Sequence, residues 1–430
     1  MSAHETAVDP RSFAPFDPEI QQCPYDHYRA MRKEAPVLRL DGERFGRPGE
    51  DVFCVSRLDD VLAVLRDPTS FSSRFGTPAA KVSPELLARL REVDAQGWPN
   101  VSTMLTEDPP SHTRYRRLVS AAFTPKRIAD LEPAIRVICN DLVDRFAGRT
   151  EIEFIAEFGV PLPIRAVAAV LEVPDDHQRE FKRWADASVA AIGRSISDDA
   201  RVEAQRTIVE QQHYFASQLE ARRVEPRDDF LTDLVQAELP AGEDGGSGGP
   251  LNTAEMLSII RQIQVAGSET TTSLMGDLLV IFASQPDLMG KLHDDPSLIP
   301  SVVEEALRYA SPNQGMFRIC REDTMLGGVM VPKGATLWVM FGSANRDESA
   351  WTDPDVFDPD RTDMSRHVAF GKGIHVCLGA ALARLEARVA IEVLTARLAS
   401  VSLVPGAPLR YAPSGILRGL ERLDLRITYR

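Results

Sequence analysis

The feature that most restricts the fold is a proline-free stretch that follows residue 252. Asn252, with Glu255 three residues later, matches a helix-start signal in which an amide side chain caps the helix and an acid reaches back. The next proline is Pro286. The pattern therefore predicts a helix of about thirty residues, about 45 Å long at 1.5 Å per residue, which is long enough to cross a whole domain.

Shorter patterns predict a chain that is mainly α with a minor β part. Residues 24–34 and the stretch from Pro300 to just before Pro312 each predict a helix. Apolar residues at steps of three and four predict an amphipathic helix after Pro133; these are Ile135, Ile138, Leu142 and Phe146. Short strands rich in Val, Leu and Phe are predicted at residues 36–40 and 51–57.

Three segments predict other structure. Residues 323–344 alternate Gly with β-forming residues and predict a small antiparallel sheet. Residues 73–106 form a long irregular segment, which is typical of a binding loop or lid. The sequence AGEDGGSGGP at residues 241–250 predicts a flexible surface loop.

Composition and charge exclude several classes of protein. The chain has 430 residues, with 49 Lys and Arg against 63 Asp and Glu, and a formal net charge of −14. Its 43% hydrophobic and 26% charged residues are typical of a globular protein and exclude a disordered, collagen-like or coiled-coil chain. The acidic balance argues against binding to nucleic acid. We expect a flexible segment over residues 1–20 and a single domain over residues 21–430.

The sequence also predicts a cytoplasmic protein without a membrane anchor. The first twenty residues lack the basic start and apolar run of a signal peptide. No uncharged apolar stretch reaches the roughly eighteen residues that a membrane helix requires.

One of five scattered cysteines lies in a distinctive setting. The absence of a close pair argues against both a disulfide framework and a Cys-x-x-Cys metal site. Cys377 follows two glycines that permit a tight turn and precedes a helical pattern. A thiolate at a helix N-terminus is stabilised by free backbone N–H groups and by the helix dipole. The segment therefore suits a permanently ionised sulfur ligand, although a buried structural cysteine is the alternative.

This segment resembles the signature of the cytochrome P450 haem-thiolate monooxygenases. Phe370, Gly373, Cys377 and Gly379 match its pattern Phe-x-x-Gly-x-x-x-Cys-x-Gly. The resemblance implies the triangular, mainly α cytochrome P450 fold, with a long central helix and a small β-rich N-terminal lobe. It also implies haem b as cofactor, Cys377 as the iron ligand, and Phe370 and Gly379 as cofactor-binding residues. Zinc is disfavoured because no second ligand pair lies near His375 and Cys377.

A second motif, AGSETT, lies in the middle of the predicted long helix. Ala266 and Thr270 are four residues apart and share one face. The threonine hydroxyl can bond back to a carbonyl, and Glu269 supplies an acid. Packing alone explains such residues in many helices. The motif is similar to the oxygen-activation site of the family, which implies that Thr270 and Glu269 deliver protons and that the small Ala266 lets the flat cofactor approach.

Three further sets of residues match the family. Glu305 and Arg308 lie at i, i+3 and resemble its buried structural pair, with Arg346 as the expected third member. Phe357 and Arg361 in FDPDR resemble its structural meander. The resemblance further implies that four basic residues hold the haem propionates; these are His112, Arg116, Arg318 and His375. Each of these residues is alternatively a solvent-facing charge.

The resemblance implies a monooxygenase that inserts one atom of O2 into a small hydrophobic substrate. It implies electrons from NAD(P)H through a ferredoxin and a separate reductase, since this length leaves no room for a flavin domain. The candidates for a basic ferredoxin-binding face are Arg114, Arg117, Lys372 and Arg384. The sequence does not identify the substrate. Candidate lining residues, all equally explained by core packing, are Leu105, Val265, Met316, Phe317 and Ile416, with Trp98, Val101, Met104 and Leu417 beside them.

Two other functions stay open at this point. One is a haem-thiolate enzyme that uses peroxide and needs no electron donor, which the intact Glu269–Thr270 pair disfavours. The other is a haem sensor or electron-transfer protein without turnover. A sensor would show no change of spin state with hydrophobic ligands.

Overall fold

A computed structural model describes residues 8–75, 83–120, 123–190, 196–239 and 249–430. Helices make up most of its regular structure. In chain order the α-helices are α1 (Pro18–Gln22), α2 (Tyr25–Glu34), α3 (Leu58–Arg66), α4 (Pro84–Asp94), α5 (Ser111–Ser120), α6 (Pro125–Asp130), α7 (Glu132–Asp144), α8 (Pro161–Val170), α9 (Gln178–Val189), α10 (Asp198–Val224), α11 (Phe230–Gln236), α12 (Thr253–Ser284), α13 (Pro286–Asp294), α14 (Ile299–Ala310), α15 (Phe341–Ala344) and α16 (Ala380–Arg397).

The strands are short. They are β1 (Val37–Asp41), β2 (Asp51–Val55), β3 (Phe71–Ser72), β4 (Glu151–Glu153), β5 (Glu238–Leu239), β6 (Gly249–Pro250), β7 (Met316–Cys320), β8 (Thr324–Leu326), β9 (Val329–Val331), β10 (Thr336–Val339), β11 (Leu398–Leu403), β12 (Arg410–Tyr411), β13 (Leu420–Arg422) and β14 (Asp424–Tyr429). The prediction of a mainly α chain with a minor β part is confirmed. Within the described ranges, no helix combines the length and the apolar character that a membrane crossing requires.

The chain divides into two compact units. The sheet unit comprises Met1–Ala80, Glu304–Cys377 and Arg410–Gly419. The helical unit comprises Lys81–Val303, Leu378–Leu409 and Leu420–Arg430.

The sheet unit is built on a five-stranded sheet in the order β1-β2-β10-β7-β3. Strand β10 pairs parallel with β2 and antiparallel with β7. The prediction of one antiparallel sheet over residues 323–344 is therefore wrong beyond the β8–β9 hairpin. All four residues of β10 are buried, so this strand needs a neighbouring strand on each side and joins the larger sheet. Phe341–Ala344 is helical instead of extended.

The helical unit contains the predicted long helix, α12, which has 32 residues. Its first turn is fixed by the predicted capping box. Asn252 Oδ1 accepts the Glu255 N–H at 3.0 Å, and Glu255 Oε2 accepts the Asn252 N–H at 2.8 Å. Glu255 Oε1 also accepts from Arg114 and from the Tyr115 hydroxyl, each at 2.8 Å. The two bonds from Arg114 and Tyr115 tie the start of α12 to α5.

Close packing along α12 depends on one glycine. A Cβ at Gly267 would lie 2.6 Å from Cγ2 of Val167 on α8, so only glycine allows the two helices to approach this closely. Val167 belongs to the main apolar cluster of the unit, which also includes Trp184, Phe215 and Ile260. The helix thus has a densely packed core on its α8 side.

The prediction of an irregular segment over residues 73–106 is wrong for the central part of the segment, which forms α4. Ser83 Oγ accepts the Leu86 N–H at 3.1 Å, and Pro84 occupies the first helical turn. Leu86 and Val93 are buried, so the helix also has an apolar face. Residues 76–82 of this segment lie outside the described residues.

Two other predictions fall partly outside the described residues. Of the segment predicted as flexible, residues 1–7 are not described, and residues 8–20 include α1 and a short helical turn at Pro10–Ser12. Of the Gly-rich loop, residues 241–248 are not described, and Gly249–Pro250 pairs with Glu238–Leu239.

Glu386 is a buried acid on α16. Its side chain is 1% exposed, and its Oε2 has no hydrogen-bond partner among the described residues. Because burial disfavours the charged form, the pKa of Glu386 rises to about 8. The folded protein therefore holds a proton at neutral pH that the unfolded chain, with an ordinary glutamate pKa, releases.

This difference predicts how stability depends on pH. Glu386 should lower the free energy of unfolding progressively between pH about 4.5 and about 8, because the unfolded chain binds fewer protons over that range. Glu386→Gln should remove this decline. The measurement is urea unfolding at several pH values, with the exposed Glu421→Gln as control. An unchanged slope in Glu386→Gln would contradict a neutral Glu386.

Candidate active site

The cysteine loop of the sheet unit has the tight-turn geometry that its glycines predict. Gly371 and Gly373 have φ values of +66° and +71°, and a Cβ at Gly373 would lie 2.2 Å from the carbonyl oxygen of Leu65. The Cys377 N–H donates to the Phe370 carbonyl at 2.9 Å, which closes the loop. Only glycine satisfies both the backbone conformation and the close approach at position 373.

The end of this loop presents the thiol. Cys377 is exposed, and none of the five cysteines forms a disulfide bond, as predicted. Three residues later α16 begins at Ala380, with Gly379 as N-cap and no side-chain cap. The first N–H groups of α16 are thus not capped by a side chain, so the chain beyond Cys377 provides the partial positive charge of a helix start.

A buried cluster of charges lies in the same unit. Arg308 donates to both oxygens of Glu305 at 2.6 Å, and both side chains are fully buried. The other Arg308 N–H groups donate to the carbonyls of Asn345, Pro354 and Val356 at 2.8, 2.9 and 3.2 Å. All five guanidinium N–H groups are therefore used, which compensates the loss of water around the charge.

The third member of the cluster is Arg361 and not the predicted Arg346. Arg361 Nε donates to Glu305 Oε1 at 3.0 Å. Arg346 instead donates to Asp355 and to the Tyr309 carbonyl, and its guanidinium lies between the rings of Tyr25 and Tyr309. The prediction of Arg346 as the third member is wrong because the chain after Thr352 folds back and places Arg361 beside Glu305.

Asn345 connects this cluster to the cysteine loop. Its carbonyl accepts from Arg308, and its Oδ1 accepts the Val368 N–H at 2.7 Å. Val368 in turn accepts the Gly371 N–H at 2.8 Å. The buried ion pair and the loop that carries Cys377 are therefore joined by consecutive hydrogen bonds.

In the helical unit, the AGSETT motif has the predicted local geometry. The Thr270 hydroxyl donates to the Ala266 carbonyl at 2.9 Å, which confirms the expected back-bond. Ala266 is exposed, and Glu269 and Thr270 are partly exposed, whereas Thr271 is buried. One face of α12 is thus open at this turn, and the next residue faces the core.

The predicted propionate ligands are distributed over both units. In the sheet unit, Arg318 is buried in β7 and donates to the Phe317 carbonyl, and His375 Nε2 lies 2.8 Å from Ser73 Oγ. In the helical unit, His112 is buried and Arg116 partly buried on α5. Ser73 was not predicted, since nothing in the sequence relates it to His375.

The predicted substrate-lining residues differ in their surroundings. In the sheet unit, Phe317 is buried in an apolar cluster against which Ile416 packs, and Met316 is partly buried. In the helical unit, Val265 is partly buried, whereas Leu105 is 45% exposed. The neighbouring Met104, Val101 and Trp98 are held against α10 and α12, and Ser258 and Gln212, which bond to Val101 and Trp98, were not predicted from the sequence.

The buried cluster yields a stability prediction. Glu305→Gln leaves the buried Arg308 and the partly buried Arg361 without their carboxylate and should lower the free energy of unfolding by about 3–5 kcal/mol. Asp51→Asn removes the partner of exposed Arg39 in the same unit and should leave the free energy of unfolding unchanged. Urea unfolding of both variants tests this, and equal stabilities would contradict the dependence of the fold on Glu305.

Comparison with known proteins agrees with these features. The sequence model of the family described as Cytochrome P450 matches residues 174–398. Cytochrome P450 107B1 of Saccharopolyspora erythraea is 38% identical over 418 residues, 96% of each chain. The solved structure of cytochrome P450 CYP109Q5 from Chondromyces apiculatus superimposes with a TM-score of 0.82 at 36% identity, covering 97% of this chain and 98% of that one.

CYP109E1 from Bacillus megaterium, solved in complex with corticosterone, superimposes with a TM-score of 0.80 at 32% identity, covering 95% of this chain and 99% of that one. The relatives thus match nearly the whole length of this chain, and the expected fold is confirmed. The chain therefore belongs to the cytochrome P450 family, whose members are haem-thiolate monooxygenases with haem b as cofactor.

Proposed function

We propose that this monooxygenase oxidises a hydrophobic substrate with O2, using electrons from NAD(P)H that arrive through a ferredoxin and a separate reductase. The observation that carries the proposal is the exposed Cys377 thiol, which a closed glycine loop presents just before an uncapped helix. Within the described residues no cluster of three or more metal-ligating side chains occurs. A single thiolate ligand fits haem, and the residues present are therefore suited to this cofactor.

Cys377 is the iron ligand in this proposal. Haem supplies the oxygen chemistry when it is bound, and electron donation from the thiolate favours O–O bond cleavage. The N–H groups at the start of α16 stabilise the ionised sulfur. The hydrogen bond from the Cys377 N–H to Phe370 fixes the backbone at the ligand. His112, Arg116, Arg318 and His375 are proposed to bind the propionates, with Ser73 orienting the His375 ring.

Thr270 and Glu269 are proposed to manage protons. The Thr270 hydroxyl directs its own proton at the Ala266 carbonyl, so the lone pairs of Oγ1 are free to accept. Oγ1 is therefore able to accept a hydrogen bond from a water molecule on the open face of α12. Glu269 is partly exposed on the same turn and provides the acid that resupplies protons from solvent.

The substrate is proposed to be hydrophobic because the candidate lining residues Val265, Met316, Phe317 and Ile416 are apolar. A similar protein, CYP109E1, has been solved with corticosterone, which is itself largely apolar. Leu105 and Ala266 are exposed apolar residues of the helical unit and stay candidates for contact with such a substrate.

The ferredoxin is proposed to dock through basic side chains. Arg117 is exposed on α5 and is a suitable candidate, together with Lys372 and Arg384. Arg114 is removed from this set because it forms a partly buried ion pair with Glu255 at 2.8 Å. A local basic region can attract the ferredoxin even though the net charge of the chain is −14, because the electrostatic potential at a surface is set mainly by the charged groups nearest to it.

The proton role of Thr270 gives the test of this function. Thr270→Ala keeps the helix, because Ala is the better helix former, and removes only the hydroxyl. NADH consumption should fall little, while product per NADH falls severalfold or more and hydrogen peroxide accumulates, since a positioned proton group contributes about 10²–10⁴-fold. The assay uses a reconstituted ferredoxin and reductase and a compound selected by its low-to-high spin shift of the ferric haem.

Thr271→Ala is the matched control, because Thr271 lies about 100° further round the helix and is buried. It should stay coupled. If Thr271→Ala released peroxide while Thr270→Ala kept the wild-type yield of product per NADH, the proton-managing residue would be Thr271 and not Thr270. If neither variant uncouples, the proton role of this turn is wrong.

A further inference from the structure

A small cavity lies within the sheet unit, between α1, β10 and the segment Arg410–Gly419. It measures about 20 Å³, whereas a single water molecule requires roughly 10–15 Å³. Phe13, Ile20 and Leu417 contribute apolar surface to its wall. The wall also contains polar side chains from three separate parts of the chain, and those that matter here are Gln21, Trp338 and Ser414.

Direct contacts hold two sides of this cavity in place. Arg418 donates to the carbonyls of Gln21 and Gln22 at 2.7 and 2.9 Å, which fixes the end of α1 to the segment Arg410–Gly419. The Gln22 side chain also exchanges two hydrogen bonds with the backbone of Tyr411, at 3.1 and 2.9 Å. The cavity therefore cannot close by a movement of α1 alone.

Gln21 presents an acceptor that the protein does not satisfy. Its Nε2 donates to the Pro15 carbonyl at 2.8 Å, and because a carbonyl only accepts, this bond fixes which end of the amide is the nitrogen. The other end is Oε1, which is buried and has no partner among the described residues. Gln21 is 9% exposed, so bulk water does not supply the missing donor.

Trp338 presents the opposite group, a donor. The indole donates only through Nε1, and this atom is buried without an acceptor in the part of the chain that the structure describes. A Cβ at Gly315 would lie 2.8 Å from Nε1, so glycine at this position leaves space beside the N–H. Because a buried polar group without a partner destabilises a fold, a molecule that accepts from Nε1 would stabilise this one.

Ser414 adds a second donor. Its Oγ accepts the N–H groups of Ile416 and Leu417, at 3.3 and 3.0 Å. These two bonds use both lone pairs of the hydroxyl, and its proton has no acceptor within the described ranges. The cavity is therefore lined by two donors and one acceptor that no protein group satisfies.

We propose that this cavity binds one water molecule, which accepts hydrogen bonds from Trp338 Nε1 and Ser414 Oγ and donates one to Gln21 Oε1. Water fits because it both donates and accepts, and buried waters typically make about three hydrogen bonds to groups that lack partners. The volume leaves no room for an organic ligand. An anion would be repelled by the Gln21 oxygen, and a cation by the two donors.

The bound water joins three parts of the sheet unit that are far apart in sequence. Gln21 lies on α1, Trp338 on β10 and Ser414 in the segment Arg410–Gly419. The site does not depend on the proposed function, because none of its three groups takes part in the oxygen chemistry.

A crystal structure of the ferric holoenzyme, at a resolution that shows ordered water, tests the site directly. One water should lie within about 3.2 Å of Trp338 Nε1, Gln21 Oε1 and Ser414 Oγ. A cavity without ordered water, or a water that lies beyond this distance from any of the three atoms, overturns the proposal.

Thermal unfolding of the holoenzyme tests the same claim in solution. Gln21→Met removes the acceptor with little change in volume, and Trp338→Phe removes the indole donor. Because both changes act on one water, the double variant should lose about 2–4 °C less in melting temperature than the sum of the two single losses.

The matched control combines Gln21→Met with Tyr28→Phe. Tyr28 lines the same cavity, but its hydroxyl already donates to Gln314 Oε1 at 3.1 Å and needs no water. The losses in melting temperature should therefore add in this pair. Additive losses for Gln21→Met with Trp338→Phe overturn the proposal, as does an equal departure from additivity in the control pair.

Discussion

The burial of Glu305 and Arg308 is the constraint on which the sheet unit depends. Two charges with no exposure to solvent are stable only if every polar atom has a partner. The chain meets this condition by folding the segments around Asn345, Pro354 and Arg361 onto the pair. These segments are otherwise irregular, so the ion cluster determines their course more than local propensity does.

The same constraint reaches the candidate iron ligand through Asn345 and Val368. The cysteine loop is held from one side by these bonds and from the other by the contact of Gly373 with Leu65. A loop fixed in this way keeps its thiol in one orientation, which suits a ligand whose sulfur has to meet a metal without rearrangement. In the helical unit, the corresponding rigid element is α12, which is fixed at its start by Glu255 and along its length by packing against α8.

Local features could be predicted from the sequence, and tertiary ones could not. The long helix, its capping box and the Thr270–Ala266 bond each depend on residues three or four positions apart, so the chain displays them directly. The third partner of Glu305 depends on how a distant segment folds back, which the sequence does not display, so Arg346 was predicted in place of Arg361. Strand β10 was misassigned for a related reason, since its neighbours β2 and β7 come from separate parts of the chain.

The central claim is that the Cys377 thiolate is the iron ligand, and the spectrum of the ferrous carbon monoxide complex tests it most directly. The wild type should show the Soret band of thiolate ligation, and Cys377→Ala should either lose haem or show a band without thiolate character. Cys139→Ala and Cys320→Ala remove buried cysteines and should leave the band unchanged. An unaltered thiolate band in Cys377→Ala, or its loss in Cys139→Ala or Cys320→Ala, would contradict the account.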